Sequence, residues 1–498
     1  MTEPSGGNIF KMKEVIFLLF FLSSSHADPR GKPYEKNIVC QQFKYLGKEN
    51  FAALTVIMNS RKYSNATFEE INNIVKAIVS LTEKCCVEGA AADCYDNEAS
   101  ALSEKSCDPK SPFPKHPGVT SCCVQKGLER KLCLADLKQP PKEFPTYLEP
   151  SNEELCTAFK TNPQLFSIKF LYEYSSNFAQ APFLIVKNAT ENYLKMIQEC
   201  CTAKKSAPCF LKQRLQMHPL HLLTVMSNRL CSRFASYGEE KLKFSAAVMF
   251  SQKIPSAEFK DVMPIVEQGT QVLAKCCRSF SENCMENEMS VHIKQVCKKL
   301  SRDTRVTECC KKAPIDTLHC LHSMSAAESI KLPKLQLPPA DQLCKKGKNQ
   351  ELENLFLICR YMYEIARRNT KLPEVFVEKL YESVTEIVKK CCSSENAISC
   401  LDKKKSQLND EIKNYVSEGN ELCGDYHKYP FSEFKKRLIK VLSRRVPQST
   451  SKKAEELAEE RANLASTCCI INAPPVYCKE KINKIIGNTC SQEPCLLQ

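Results

Sequence analysis

Apolar residues recur along this chain at helical intervals, and the recurrences stop at one kind of landmark. From Thr67 one face reads Phe68, Ile71, Ile74, Val75, Ile78 and Leu81, and the run meets Cys85-Cys86. Steps of three and four are the period of an amphipathic helix. Thr67 and Glu70 have the spacing of a capping box, in which each side chain accepts a hydrogen bond from the other's backbone amide. A second segment repeats the design. Pro373 stands near its start, where a helix leaves the missing N–H unused, and Phe376, Val377, Leu380, Val384, Ile387 and Val388 lead to Cys391-Cys392. The pattern predicts helices that end on paired cysteines. Proline-bearing stretches, 140–150 and 332–339, predict passages between groups of helices.

Seven cysteine pairs occur, at 85/86, 122/123, 200/201, 276/277, 309/310, 391/392 and 468/469. They are periodic. Cys40, Cys231 and Cys423 lie about 190 residues apart, the pairs 85/86, 276/277 and 468/469 keep that step, and Cys94, Cys284 and Cys478 nearly keep it. A fixed period is the signature of copied units. Three copies are present, with domains expected at 28–218, 219–405 and 406–498, the last cut off after Cys478.

Neighbouring cysteines do not readily bond to each other, because the small ring strains the peptide, so each member of a pair should reach a different partner. One long and one short loop per step is the economical scheme. In the first copy it joins Cys40 to Cys86, Cys85 to Cys94, Cys107 to Cys123, Cys122 to Cys133, Cys156 to Cys201 and Cys200 to Cys209. The second copy repeats it with Cys231 to Cys277, Cys276 to Cys284, Cys297 to Cys310, Cys309 to Cys320, Cys344 to Cys392 and Cys391 to Cys400. The third has room for Cys423 to Cys469 and Cys468 to Cys478. Cys359, Cys490 and Cys495 are left over, the last two close enough in the tail to pair. From spacing alone other connectivities remain open.

Composition sharpens this picture. Glycine is 13 of 498 residues, under half the usual share of about 7%, which disfavours a turn-rich β fold. With 43% hydrophobic and 26% charged residues the chain is globular, and 31 cysteines suit an oxidising compartment. Export is also written at the N-terminus. Lys11 and Lys13 precede the apolar run 15–22, and Ser25-His26-Ala27 offers a cleavage site, so residues 1–27 read as a signal peptide with Met12 as an alternative start. No later segment approaches the 18 apolar residues of a membrane span. Asn65-Ala66-Thr67 and Asn188-Ala189-Thr190 are glycosylation sequons.

The net charge of +14 is spread in short clusters such as Lys403-Lys404-Lys405 and Arg444-Arg445. These read as solvated helix faces or as a surface for an anionic glycan or protein; export makes nucleic acid an implausible partner. The C-x₂-C spacing of zinc sites is missing, so no metal is expected. Neither G-x-S-x-G nor H-E-x-x-H occurs, and His218 with His221 reads as helix surface or core, so neither enzymatic activity nor a cofactor is expected. Cys359 follows Leu355-Phe356-Leu357-Ile358 and reads as a buried, inert thiol.

The triplicated helical array with doubled cysteines resembles the serum albumin superfamily across essentially the whole mature chain. Tyr34-Glu35-Lys36-Asn37, Ser111-Pro112-Phe113-Pro114, Gly127-Leu128-Glu129-Arg130-Lys131-Leu132-Cys133, Glu143-Phe144-Pro145-Thr146-Tyr147 and Leu372-Pro373-Glu374-Val375-Phe376 carry the resemblance locally. It implies an all-α fold of three disulfide-stapled domains, the third truncated. It also implies a monomeric plasma carrier that binds vitamin D sterols such as 25-hydroxyvitamin D and captures monomeric actin. A generic carrier of fatty acids is the alternative. The implied sterol cleft lies on the first domain, at Glu35, Val39, Phe51, Leu54, Met58, Asn59, Tyr63, Tyr95, Leu102, Ser103, Ser106 and Leu134. Ser103 is expected to hold the A-ring hydroxyl, helped by a polar contact near Leu134. Asn59 stands where the family pattern has a tyrosine that anchors the side-chain hydroxyl.

Overall fold

Every doubled cysteine in the chain lies at a helix end or within two residues of it. The computed structural model describes residues 32–481 apart from 139, 141, 280, 282, 337, 345–349, 446–450, 471, 472 and 474–477. The expected signal peptide, and Cys490 with Cys495, lie outside the described residues. Nineteen helices and no strand occur among those described. In order they are α1 (Lys32–Lys62), α2 (Phe68–Cys85), α3 (Cys94–Cys107), α4 (Val119–Cys123), α5 (Gly127–Asp136), α6 (Asn152–Thr161), α7 (Pro163–Asn177), α8 (Phe183–Thr202) and α9 (Ser206–Lys253). There follow α10 (Phe259–Cys276), α11 (Cys284–Lys299), α12 (Thr304–Cys309), α13 (Pro314–Ser323), α14 (Ala340–Leu343), α15 (Gln350–Arg368), α16 (Glu374–Cys392), α17 (Ala397–Lys428), α18 (Phe431–Arg445) and α19 (Ser451–Cys468).

Local chemistry sets several of these ends. The Thr67–Glu70 capping box opens α2, and Ser151 with Glu154 opens α6 in the same way. Pro373 is the N-cap of α16. Of the expected α2 stripe Ile71, Ile74, Val75 and Leu81 are buried, Phe68 and Ile78 are only half-buried, and Val79 is buried in addition. The cause is that α2 packs against α1, α3 and α7 together, so its covered face is broader than one stripe.

Fourteen disulfides fasten the helices, from Cys40–Cys86 to Cys468–Cys478, with the partners of the long-and-short scheme. The long bridges span 45 to 48 residues and the others 8 to 16. Because vicinal cysteines reach separate partners, one helix end is tied to two neighbours at once.

Two long helices bend at glycines. Gly47 interrupts α1 at φ 71°, ψ 167°, and Gly238 interrupts α9 at φ 70°, ψ 179°, a backbone region that is essentially glycine-only. Each lies seven residues after the cysteine that opens its repeat, Cys40 or Cys231. At the matching place in the third copy stands Pro430, and there the chain breaks cleanly into α17 and α18.

The chain divides into two compact units, Met1–Ala235 with Leu273–Glu288 and Ser236–Val272 with Met289–Gln498. In the first, Phe51, Val56 and Ile57 of α1 share a core with Ile71 and Val75 of α2, Phe170 and Tyr174 of α7, and Val186, Met196 and Ile197 of α8. The end of α1 is held there by polar bonds. Arg61 donates from Nε to the Ala179 carbonyl at 3.1 Å and from Nη2 to that of Ala181 at 2.5 Å, and Tyr172 Oη donates to the Ala66 carbonyl at 2.6 Å. In the second unit, Met362, Phe376, Val384 and Leu464 belong to one core and Val262, Ile265, Val306 and Tyr363 to another.

Candidate functional site

Three helices of the first unit, α1, α3 and α5, carry the residues expected to form a cleft, with Tyr63 just beyond the end of α1, and α2 braces them. α1 packs on α2 and α3, α2 on α3, and α3 on α5. Cys40–Cys86 ties α1 to the end of α2, Cys85–Cys94 ties that end to the start of α3, and Lys131 of α5 meets Asp96 of α3 at 2.5 Å. The frame is cross-linked on both sides of α3.

Six of the twelve expected residues join one apolar cluster. Phe51 and Tyr63 are buried within it, and Val39, Leu54, Met58 and Leu102 are half-buried at its margin. Phe43 meets Phe51 edge to face at 5.3 Å. The burial of Tyr63 pushes its phenol up to about 12, and its ring stands 6.2 Å from His116. The Gly118 amide donates to His116 Nδ1 at 2.9 Å, so Nε2 carries the proton and donates to the Lys138 carbonyl at 2.7 Å.

The polar members are few. Ser103 is buried on α3 and donates from Oγ to the Ser100 carbonyl at 2.7 Å; its lone pairs stay available to accept a bond from a ligand hydroxyl. Ser106, buried one turn on, donates to the Leu102 carbonyl at 3.0 Å. Asn59 is half-buried and donates from Nδ2 to the Thr55 carbonyl at 2.8 Å. Tyr95 and Leu134 are half-buried on α3 and α5, outside the apolar cluster. Glu35 is in the first turn of α1, and its side chain lies outside the described residues.

Two polar groups escape the sequence reading. Lys62, at the last residue of α1, donates from Nζ to the carbonyls of Leu134 at 2.9 Å and Ala135 at 2.8 Å, in the final turn of α5. Burial lowers its ammonium from the usual 10.5 to about 8, partly opposed by the charge of Asp136. An ammonium therefore stands beside the Leu134 carbonyl. Gln42 is 1% exposed, and neither its Nε2 nor its Oε1 has a partner. On a helix it falls on the same face as Val39, three residues earlier. In the sequence Lys62 looks like an ordinary basic helix end and Gln42 like a surface amide, so no signal marked either.

The arrangement suits a largely hydrocarbon ligand with one or two hydroxyls: an apolar surface with scattered donors and acceptors. Among the described residues no group of three or more His, Cys, Asp or Glu is gathered as a metal would require.

Comparison with known proteins agrees with this architecture. The model of the serum albumin family matches residues 38–210 and 229–401, and that of vitamin D binding protein, domain III, matches 421–485. The vitamin D-binding protein of Homo sapiens is 43% identical over 479 residues, covering 96% of this chain and 100% of that protein. That of Mus musculus is 42% identical over 474 residues, covering 95% and 98%. Alpha-fetoprotein of Equus caballus is 26% identical over 491 residues, covering 95% and 79%.

Proposed function

The chain belongs to the serum albumin family, and from that premise we propose that it is a secreted carrier of vitamin D sterols whose cleft is formed by α1, α3 and α5. The observation that carries the proposal is full-length homology to proteins named for vitamin D binding, at 43% and 42% identity. The apolar cluster that gathers Val39, Phe51, Leu54, Met58, Tyr63 and Leu102 supports the location. The proposal takes 28–218 as the sterol-binding domain, 219–405 as the second and 406–498 as the short third. It includes no catalytic step.

Burial of roughly 400 Å² of sterol hydrocarbon offers on the order of 10 kcal/mol before association costs, whereas one hydrogen bond contributes about 1 kcal/mol net. Apolar contact then supplies affinity, and Ser103 sets orientation. The test is equilibrium binding of radiolabelled 25-hydroxyvitamin D to the oxidised, secreted protein, with excess palmitate as competitor. Saturable binding that palmitate spares, and that Ser103→Ala weakens about fivefold, is the expected result. Displacement by palmitate would make the chain a general fatty-acid carrier instead.

The proposal extends to monomeric actin. A net charge of +14 favours encounter with an acidic protein. Its measurement is the lag and plateau of actin polymerisation with equimolar protein; an unchanged time course would remove this part of the reading.

A further inference from the structure

The charge of α18 is segregated in a way unlike that of its neighbours. Phe434 and Leu442 are buried against Ala454, Ala458, Ala462 and Ala465 of α19, with Leu438 beside them. On the opposite face Lys436, Lys440 and Arg444 are exposed. They stand one turn apart, a row about 12 Å long at 1.5 Å per residue. Two adjacent cations are already engaged: Lys435 pairs with Glu459, and Arg437 meets Glu433 at 3.2 Å and lies 3.7 Å over the Tyr429 ring. Among the described residues no carboxylate pairs with Lys436, Lys440 or Arg444.

Other exposed helix faces carry opposite charges at i, i+4, as in Lys195–Glu199 and Glu386–Lys390. Like charges at i, i+4 destabilise a helix, so the α18 row is held at a cost that an anion would remove. The row contains no apolar side chain, whereas the centres of protein interfaces are apolar or aromatic and poor in lysine. The stretch Phe434-Lys435-Lys436-Arg437-Leu438-Ile439-Lys440-Val441 is a basic cluster of the kind that meets heparin-like or nucleic-acid polyanions. Fourteen disulfides belong to the oxidising compartments, which leaves the sulfated polysaccharide. We propose that the outer face of α18 binds a sulfated glycosaminoglycan chain through Lys436, Lys440 and Arg444. The inference is independent of what the first domain carries.

The experiment is chromatography of the full secreted protein on immobilised heparin, with soluble heparin and unsulfated hyaluronate as competitors. Retention past about 0.15 M salt, the physiological ionic strength, is expected, with competition by heparin alone. K436Q/K440Q/R444Q should bind at least tenfold more weakly, while K436R/K440R/R444K is retained like the native chain. K160Q/K204Q/K205Q removes the same charge from exposed positions elsewhere and should elute with the native protein. Four results overturn the proposal: elution of the native chain below that salt, equal loss in both glutamine triples, equal competition by hyaluronate, or a row variant that keeps heparin but loses actin. The last would assign the face to a protein partner.

Discussion

Lys62 links burial, pH and the proposed cleft through one nitrogen, and its replacement makes a sharp prediction. In Lys62→Met the stem and its packing remain, while the ammonium and its two bonds to the α5 carbonyls are lost. The folded chain holds this amine near 8 and the unfolded chain near 10.5. Below pH 8 both states are protonated, and the folded state carries the full cost of the buried charge, about 3 kcal/mol for that displacement. Between the two values the unfolded chain binds the proton that the folded chain has released, so stability rises with pH across that window. From pH 7 to pH 9.5 the native protein should therefore gain about 2 kcal/mol over Lys62→Met. Urea unfolding followed by circular dichroism at both pH values, with disulfides intact, measures the difference. A gap that stays constant would refute the argument, because the proton could then not be released on folding. The same variant frees the last turn of α5, and sterol affinity should fall severalfold.

Three further outcomes are expected. Asn59→Tyr, which offers a phenol where Asn59 now donates only to its own helix, should favour a side-chain-hydroxylated sterol over its unhydroxylated parent by about fivefold, the worth of one hydrogen bond; competitive binding of the pair measures it. Burial pushes the Cys359 thiol up to about 12, leaving about one part in ten thousand as thiolate at pH 8. Iodoacetamide labelling at that position, read by peptide mass, should be over a hundredfold slower in the native protein than in denaturant. Asn65 is exposed between α1 and α2, whereas Asn188 is half-buried within α8 and Thr190 beside it is fully buried. Asn65→Gln should remove glycan mass from the secreted protein, and Asn188→Gln should leave it unchanged.

Much of the fold was legible because its marks are covalent or periodic. Doubled cysteines announce helix ends, their common step announces the copies, and Thr67 with Glu70 announces the start of α2. The box at Ser151 and Glu154 was equally readable by the same rule. The bends at Gly47 and Gly238 were not, since a lone glycine in a helical pattern says nothing about its ψ. At the candidate site the apolar stripe was visible, but its polar features were not. Lys62 acquires meaning only because the chain returns to it 72 residues later, and Gln42 only because folding buries it. Such properties arise from tertiary proximity, which no local window contains.

The junctions at Gly47, Gly238 and Pro430 have a consequence for how the protein would meet proteases. All three residues are exposed, and exposed joints between helices are where proteases cut. Yet Cys40–Cys86, Cys231–Cys277 and Cys423–Cys469 each span one of them. A cut at any of these joints divides the backbone without releasing a fragment. The nicked molecule keeps its mass until it is reduced, so such damage would be invisible to size and visible only after the bridges are opened.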